Sequence, residues 1–120
     1  MMYNVTDITF SSCGIYQSNS LNQGFVTPSI YCLVGSDIKI NSCTIEQVSQ
    51  PNGNCIIFNT VKGFVIENNY LKGQLNTGSS IFIANSTNSR LNNNIELGIV
   101  SAGVGQVGST NVISTNYVQY

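Results

Sequence analysis

Charge is scarce in this chain of 120 residues. Only 8% of its residues are charged, against roughly 25% in an average soluble protein, so any folded surface must be polar but largely uncharged. Four Lys+Arg and a net charge of −1 argue against a nucleic-acid partner, because such affinity rests on many Lys/Arg contacts to phosphate. Histidine is absent, which excludes Ser-His-Asp and Cys-His nucleophilic machinery. Cys13, Cys32, Cys43 and Cys55 form no CxxC pair, so with no histidine neither a zinc site nor any other cofactor is expected. The four read as small buried thiols of a protein made in a reducing compartment, with a disulfide left open. No apolar run approaches the roughly 18 residues that span a bilayer. The start "MMYNVTDITF" has neither a basic region nor a continuous apolar one, so no membrane span and no signal peptide are expected.

What the chain has is Asn, Ser and Gly in abundance, with 42% hydrophobic residues, enough for one modest domain covering 1–120. In "VKGFVIENNYLKG", Val61 to Gly73, two asparagines interrupt a hydrophobic alternation that then resumes. The interruption recurs. Phe10 opens "FSSCGI", Ile40 "INSCTI", Ile66 "IENNYL", Leu91 "LNNNIE" and Ile113 "ISTNYV". Each is a large apolar residue, two or three small polar ones, then usually another apolar residue. The anchors are spaced 30, 26, 25 and 22 residues apart, a drift that loops of varying length produce. Eight residues upstream of three anchors lies a second set, "IYCLV", "CIIFN" and "SIFIA", with Cys32, Phe58 and Ile83 in register. Turn residues such as "PNGN" and "NTGSS" separate the segments, and nothing reads as a helix.

Short strands at such a period describe a solenoid whose turns stack about 4.8 Å apart. The expected fold is all-β: a three-sided, right-handed parallel β-helix of about five rungs, with Phe10, Ile40, Ile66, Leu91 and Ile113 in one inward column. The asparagines then mark a corner. The third motif position stacks Ser12, Ser42, Asn68, Asn93 and Thr115, and the fourth stacks Cys13, Cys43, Asn69, Asn94 and Asn116. Asn side chains hydrogen-bond to copies of themselves in stacked strands, and Asn tolerates the left-handed backbone of a sharp bend.

Glycoside cleavage needs two carboxylates, and the chain offers Asp7, Asp37, Glu46, Glu67 and Glu96. Asp7 and Asp37 share a motif position, but the column continues as Gly63 and Asn88, so it reads as a turn. No catalytic residue is assigned. On the strand after that turn, alternation sends Lys39, Val65 and Arg90 outward, with Asn41, Glu67 and Asn92 beside them. Such a lane suits a glycan, above all if Tyr70 and Tyr117, which share a column, offer apolar faces to sugar rings. The competing reading is a solvated face with cross-strand charge pairing around Glu67. In the second strand set the same alternation leaves Tyr31, Ile57 and Phe82 outside, flanked by Leu33 and Ala84. An outward apolar ladder calls for a cover, either a loop such as "SNSLNQGFVTP" or other subunits of a homotrimer. Asn-x-Ser/Thr triplets at Asn4 and Asn85 arise by chance in so Asn-rich a chain.

The motif apolar-x-[Asn/Ser]-[Asn/Cys]-x-apolar resembles the repeat of the right-handed parallel β-helix proteins, the pectate-lyase-like superfamily and bacteriophage tailspikes, over about Val5 to Val118. The resemblance implies carbohydrate as partner, and most of all a tailspike or tail-fibre segment: a fragment or C-terminal part of a longer spike. Such a segment is trimeric, binds host cell-surface polysaccharide, contacts the rest of the spike, and sits in the virion tail after assembly in host cytoplasm. Fold likeness assigns no activity. This chain alone is expected to be non-catalytic, the alternatives being a polysaccharide lyase or glycoside hydrolase domain and a purely structural trimerisation segment.

Overall fold

The computed structural model describes residues 1–17, 28–47, 54–76, 80–99, 104–115 and 118–119. Among them there are strands, turns and bends but no helix. Three parallel sheets form the sides of a β-helix, and the chain visits them in rotation. The first sheet stacks β1 (Val5–Ser11), β4 (Gly35–Asn41), β7 (Val61–Lys62) with β8 (Val65–Glu67), β11 (Thr87–Asn92) and β14 (Thr110–Thr115). The second stacks β2 (Gly14–Gln17), β5 (Thr44–Gln47), β9 (Tyr70–Asn76), β12 (Ile95–Ile99) and β15 (Val118–Gln119). The third stacks β3 (Ile30–Cys32), β6 (Ile56–Asn59), β10 (Ile81–Ala84) and β13 (Val104–Val107). The first two sheets hold five layers and the third four, in a parallel β-solenoid of about three turns.

Register follows the repeat through four layers. Phe10 lies beside Ile40, Ile40 beside Ile66 and Ile66 beside Leu91. Ile40, Ile66 and Leu91 are fully buried, and Phe10 packs half-buried against the same core. Cys32, Phe58 and Ile83 line up across the third sheet. Each strand sends alternate side chains inward, and the three inward faces meet in one core, where Phe58 and Phe64 cross edge to face with centroids 4.9 Å apart. Glu96 occupies an inward position in the column of Ile15, Ile45 and Leu71 and is wholly buried.

The corners explain the asparagines. Ser12, Ser42, Asn68 and Asn93 all have positive φ, between 52° and 58°. They turn the chain from the first sheet into the second, through the left-handed region that Asn visits at little cost. A second such column, Asp7, Asp37, Gly63, Asn88 and Asn111, bends the first sheet in every layer. The two aspartates therefore serve a turn. A third comprises Asn4, Thr60, Asn85 and Gly108, which takes in both Asn-x-Ser/Thr asparagines.

Just after the first corner, the chain points a polar side chain inward. Asn69 and Asn94 are 1% and 0% exposed, yet their amides are satisfied from coil to coil. Asn69 Oδ1 accepts the Cys43 N–H at 2.9 Å, Asn94 Oδ1 accepts the Asn69 N–H at 3.1 Å, and the Nδ2 groups donate to Ile40 O and Ile66 O at 2.9 Å. Hydrogen bonds so made offset the cost of taking the amides out of water.

The fifth layer departs from the expectation. Leu91 lies beside Ser114, and Ile113 lies beside Arg90, so Ile113 is outside, 56% exposed, and Val112 takes the inward place beside Ser89. Thr115 pairs with Asn92 rather than stacking on Asn93; Asn116 lies outside the described residues. The cause is the turn column. Asn111 takes the left-handed position at φ 53° and donates through Nδ2 to Asn88 Oδ1 at 2.8 Å. A strand started there faces Val112 inward, and a slip of one residue reverses every side chain after it.

Candidate functional site

The outward face of the first sheet carries two parallel columns. One runs Thr9, Lys39, Val65, Arg90 and Ile113; the other runs Ser11, Asn41, Glu67, Asn92 and Thr115. Strand alternation builds both, since Ile40, Ile66 and Leu91, which stand between them in the middle coils, face the core, and the sheet spacing sets successive members about 4.8 Å apart from coil to coil. Lys39, Glu67 and Arg90 thus share one solvent-facing lane. A groove of about 260 Å³ runs between the columns, lined by Thr9, Ser11, Lys39, Asn41, Val65, Glu67 and Arg90.

Electrostatics within the lane are short-ranged. Arg90 Nη2 donates to Glu67 Oε2 at 3.3 Å between adjacent coils, with the Arg90 side chain 58% exposed and the Glu67 side chain 26% exposed. Lys39 has no ion pair among the described residues. Asn41 Oδ1 accepts Ser42 Oγ at 2.9 Å and Asn68 Nδ2 at 3.3 Å, and Asn92 Oδ1 accepts Thr115 Oγ1 at 3.0 Å. Hydroxyls, amides and one cation beside an ion pair make a surface of donors and acceptors with little net charge. It suits neutral polyhydroxyl ligands better than polyanions. No group of three or more Cys, Asp or Glu side chains able to hold a metal occurs among the described residues, and no helix there is long and apolar enough to cross a membrane.

Tyr70 stands elsewhere. It is 41% exposed on the second sheet, in the column of Gly14, Thr44, Ile95 and Val118. The corner at Asn68 and Asn69 separates it from the lane. The expected partner in its column, Tyr117, lies outside the described residues, and the place beside Ile95 belongs to Val118. Beside Tyr70 runs a column that the sequence reading did not single out: Tyr16, Glu46 and Lys72, with Lys72 Nζ 3.5 Å from Glu46 Oε1 and Tyr16 66% exposed. The Tyr16 ring occupies the space that a Cβ on Gly14 would take. These three residues follow the motif anchors at a constant offset of six, a signal that was present in the repeat.

On the third sheet, Tyr31, Ile57 and Phe82 stack outward in register, with Gly105 continuing the column. All three are half-buried, as are Leu33 and Ala84. The loop beginning at Ser18, the alternative cover for this ladder, lies outside the described residues.

These features define a parallel β-solenoid with polar lanes on two faces and an apolar ladder on the third. Comparison of the chain with protein families, with curated proteins and with solved structures finds no match.

Proposed function

We propose that this chain is a structural and glycan-recognition segment of a phage tailspike or tail fibre, binding host surface polysaccharide along the first sheet and assembling as a homotrimer through the third. The lane carries the proposal: the groove between the Lys39–Arg90 and Asn41–Asn92 columns presents hydroxyls, amides and the Arg90–Glu67 pair on a backbone that repeats every coil. The backbone of the lane repeats about every 4.8 Å along the solenoid, so an extended chain laid along it meets one coil after another. The likeness of the motif to tailspike repeats supplies the biological setting. Around the corner on the second sheet, Tyr70 and, two coils away, Tyr16 offer separate apolar contacts for sugar rings.

Glycan-array screening followed by calorimetry tests the lane. Replacement of Lys39, Glu67 and Arg90 together by Ala is expected to weaken binding at least tenfold, and Tyr70→Ala to weaken it less. Undiminished binding by the triple variant rejects the lane as the sugar contact.

A purely structural role is the second reading, favoured by one observation. Arg90 and Glu67 already satisfy each other, as in a solvated sheet face that holds its coils together. Trimer formation without glycan binding identifies that role.

A further inference from the structure

Two thiols stand where later coils carry the buried amide ladder, and glycan recognition does not use them. Cys13 and Cys43 fill the inward corner position that Asn69 and Asn94 occupy in the next two coils, and their Sγ atoms lie 3.2 Å apart with both cysteines free. The two differ in access. Cys43 is 2% exposed, whereas Cys13 is only half-buried, in a coil whose strands β1 and β2 each pair with a single neighbour. Register holds the two side chains together, since Gly14 lies beside Thr44 immediately after them. The spacing of adjacent strands, about 4.8 Å, falls within the Cα separation of roughly 4.4–6.8 Å that a disulfide spans. The sulfurs need to close by only about 1.1 Å to reach bonding distance. The other two cysteines are wholly buried and donate to backbone carbonyls, Cys32 to Val34 O at 3.5 Å and Cys55 to Lys72 O at 3.7 Å.

We propose that Cys13 and Cys43 form an oxidisable staple, a dithiol that closes into a disulfide between the first two coils on meeting a small-molecule disulfide. Cys13 is the attacking group because it alone of the pair is accessible. Its thiol loses a proton to water, and the thiolate attacks one sulfur of the small disulfide. A mixed disulfide forms at Cys13 and the first small thiolate leaves. Cys43 then loses its proton to water, and its thiolate displaces the second small thiolate from the Cys13 sulfur. The protein dithiol is oxidised to a disulfide, and one small disulfide is reduced to two thiols. The hydrogen bond with Cys43, and after it burial, holds the Cys13 thiol above the ordinary thiol range. Closure is therefore slow at neutral pH and quickens in alkali. Once formed, the bond ties β1 and β2 to the next coil, and reduction releases them.

The test treats the purified full chain with oxidised glutathione at mildly alkaline pH and measures intact mass without reductant. Digestion then uses trypsin, chymotrypsin and a glutamate-specific protease, which cut after Tyr16, Tyr31, Lys39 and Glu46 and so place each of the four cysteines on its own peptide. The expected result is loss of two hydrogens, one cross-linked species joining the two peptides, and a melting midpoint raised by roughly 10 °C that falls back on reduction. Cys43→Ser is expected to stop at a glutathione adduct on Cys13. A lasting glutathione adduct on the unaltered protein, a cross-link through Cys32 or Cys55, or a native chain that stays unreacted while the unfolded chain reacts, each overturns the staple.

Discussion

Asn69 receives its coil-to-coil support from Asn94: the Oδ1 of Asn94 accepts both the backbone N–H and the Nδ2–H of Asn69, each at 3.1 Å, with both residues out of contact with solvent. Removing the amide at Asn69 leaves the Cys43 N–H and Ile40 O without their bonds inside the core. Each buried polar group so stranded costs about 1–3 kcal/mol. Asn69→Leu is expected to lower unfolding free energy by about 3 kcal/mol or more in urea titration. Its neighbour Asn68 is exposed at φ 58°, where Gly is unstrained, so Asn68→Gly should change stability by less than about 1 kcal/mol. Equal costs at the two positions contradict the corner geometry.

The fifth-layer register makes two adjacent apolar residues unequal. Val112 packs against the core and Ile113 faces out. Val112→Ser is expected to cost about 1–2 kcal/mol, and Ile113→Ser to stay within about 0.5 kcal/mol. The reverse order restores Ile113 to the inward column.

The Arg90–Glu67 pair is open to solvent, and such pairs contribute about 0–1 kcal/mol. Glu67→Gln and Arg90→Gln, alone and together, are expected to give a coupling energy below about 1 kcal/mol in a double-mutant cycle, diminishing in high salt. If glycan binding nevertheless collapses in each single variant, the pair belongs to the ligand rather than to the fold.

Alkaline pH should weaken the fold through its thiols. Cys13 is shifted upward by its hydrogen bond with Cys43 and then by burial, and Cys32 is shifted upward by burial. A raised thiol value favours the neutral, protonated form in the folded state. Its contribution is complete below the unfolded-chain value of about 8.5 and is lost as pH rises through the folded value. The urea midpoint is expected to fall more between pH 8 and pH 10.5 for the unaltered protein than for a Cys13→Ser, Cys32→Ala variant. Parallel curves remove the thiols from the account.

The third-sheet ladder predicts an assembly. Ile57→Asp with Phe82→Asp is expected to convert a trimer into monomers in sedimentation at micromolar concentration. A chain that is monomeric without substitution, or a trimer indifferent to both, puts any interface on another face.

The repeat alone determined the class of fold, because a solenoid writes its architecture into a period: Phe10, Ile40, Ile66 and Leu91 recur where one coil must repeat the last. The asparagine corner was legible for the same reason, as was the outward placement of Lys39, Glu67 and Arg90, which follows from alternation beside a buried column. Tertiary structure decided what period cannot specify. Ile113 misled because apolar character marked it as an anchor, whereas the phase of the last layer is set by the left-handed turn at Asn111 and its bond to Asn88. Tyr70 was separated from the lane by a corner that changes sheet, a difference of direction invisible in spacing. Likewise the approach of Cys13 Sγ to Cys43 Sγ exists only because two segments 30 residues apart in sequence stack in register, and distance between coils belongs to the fold rather than to any one stretch of the chain.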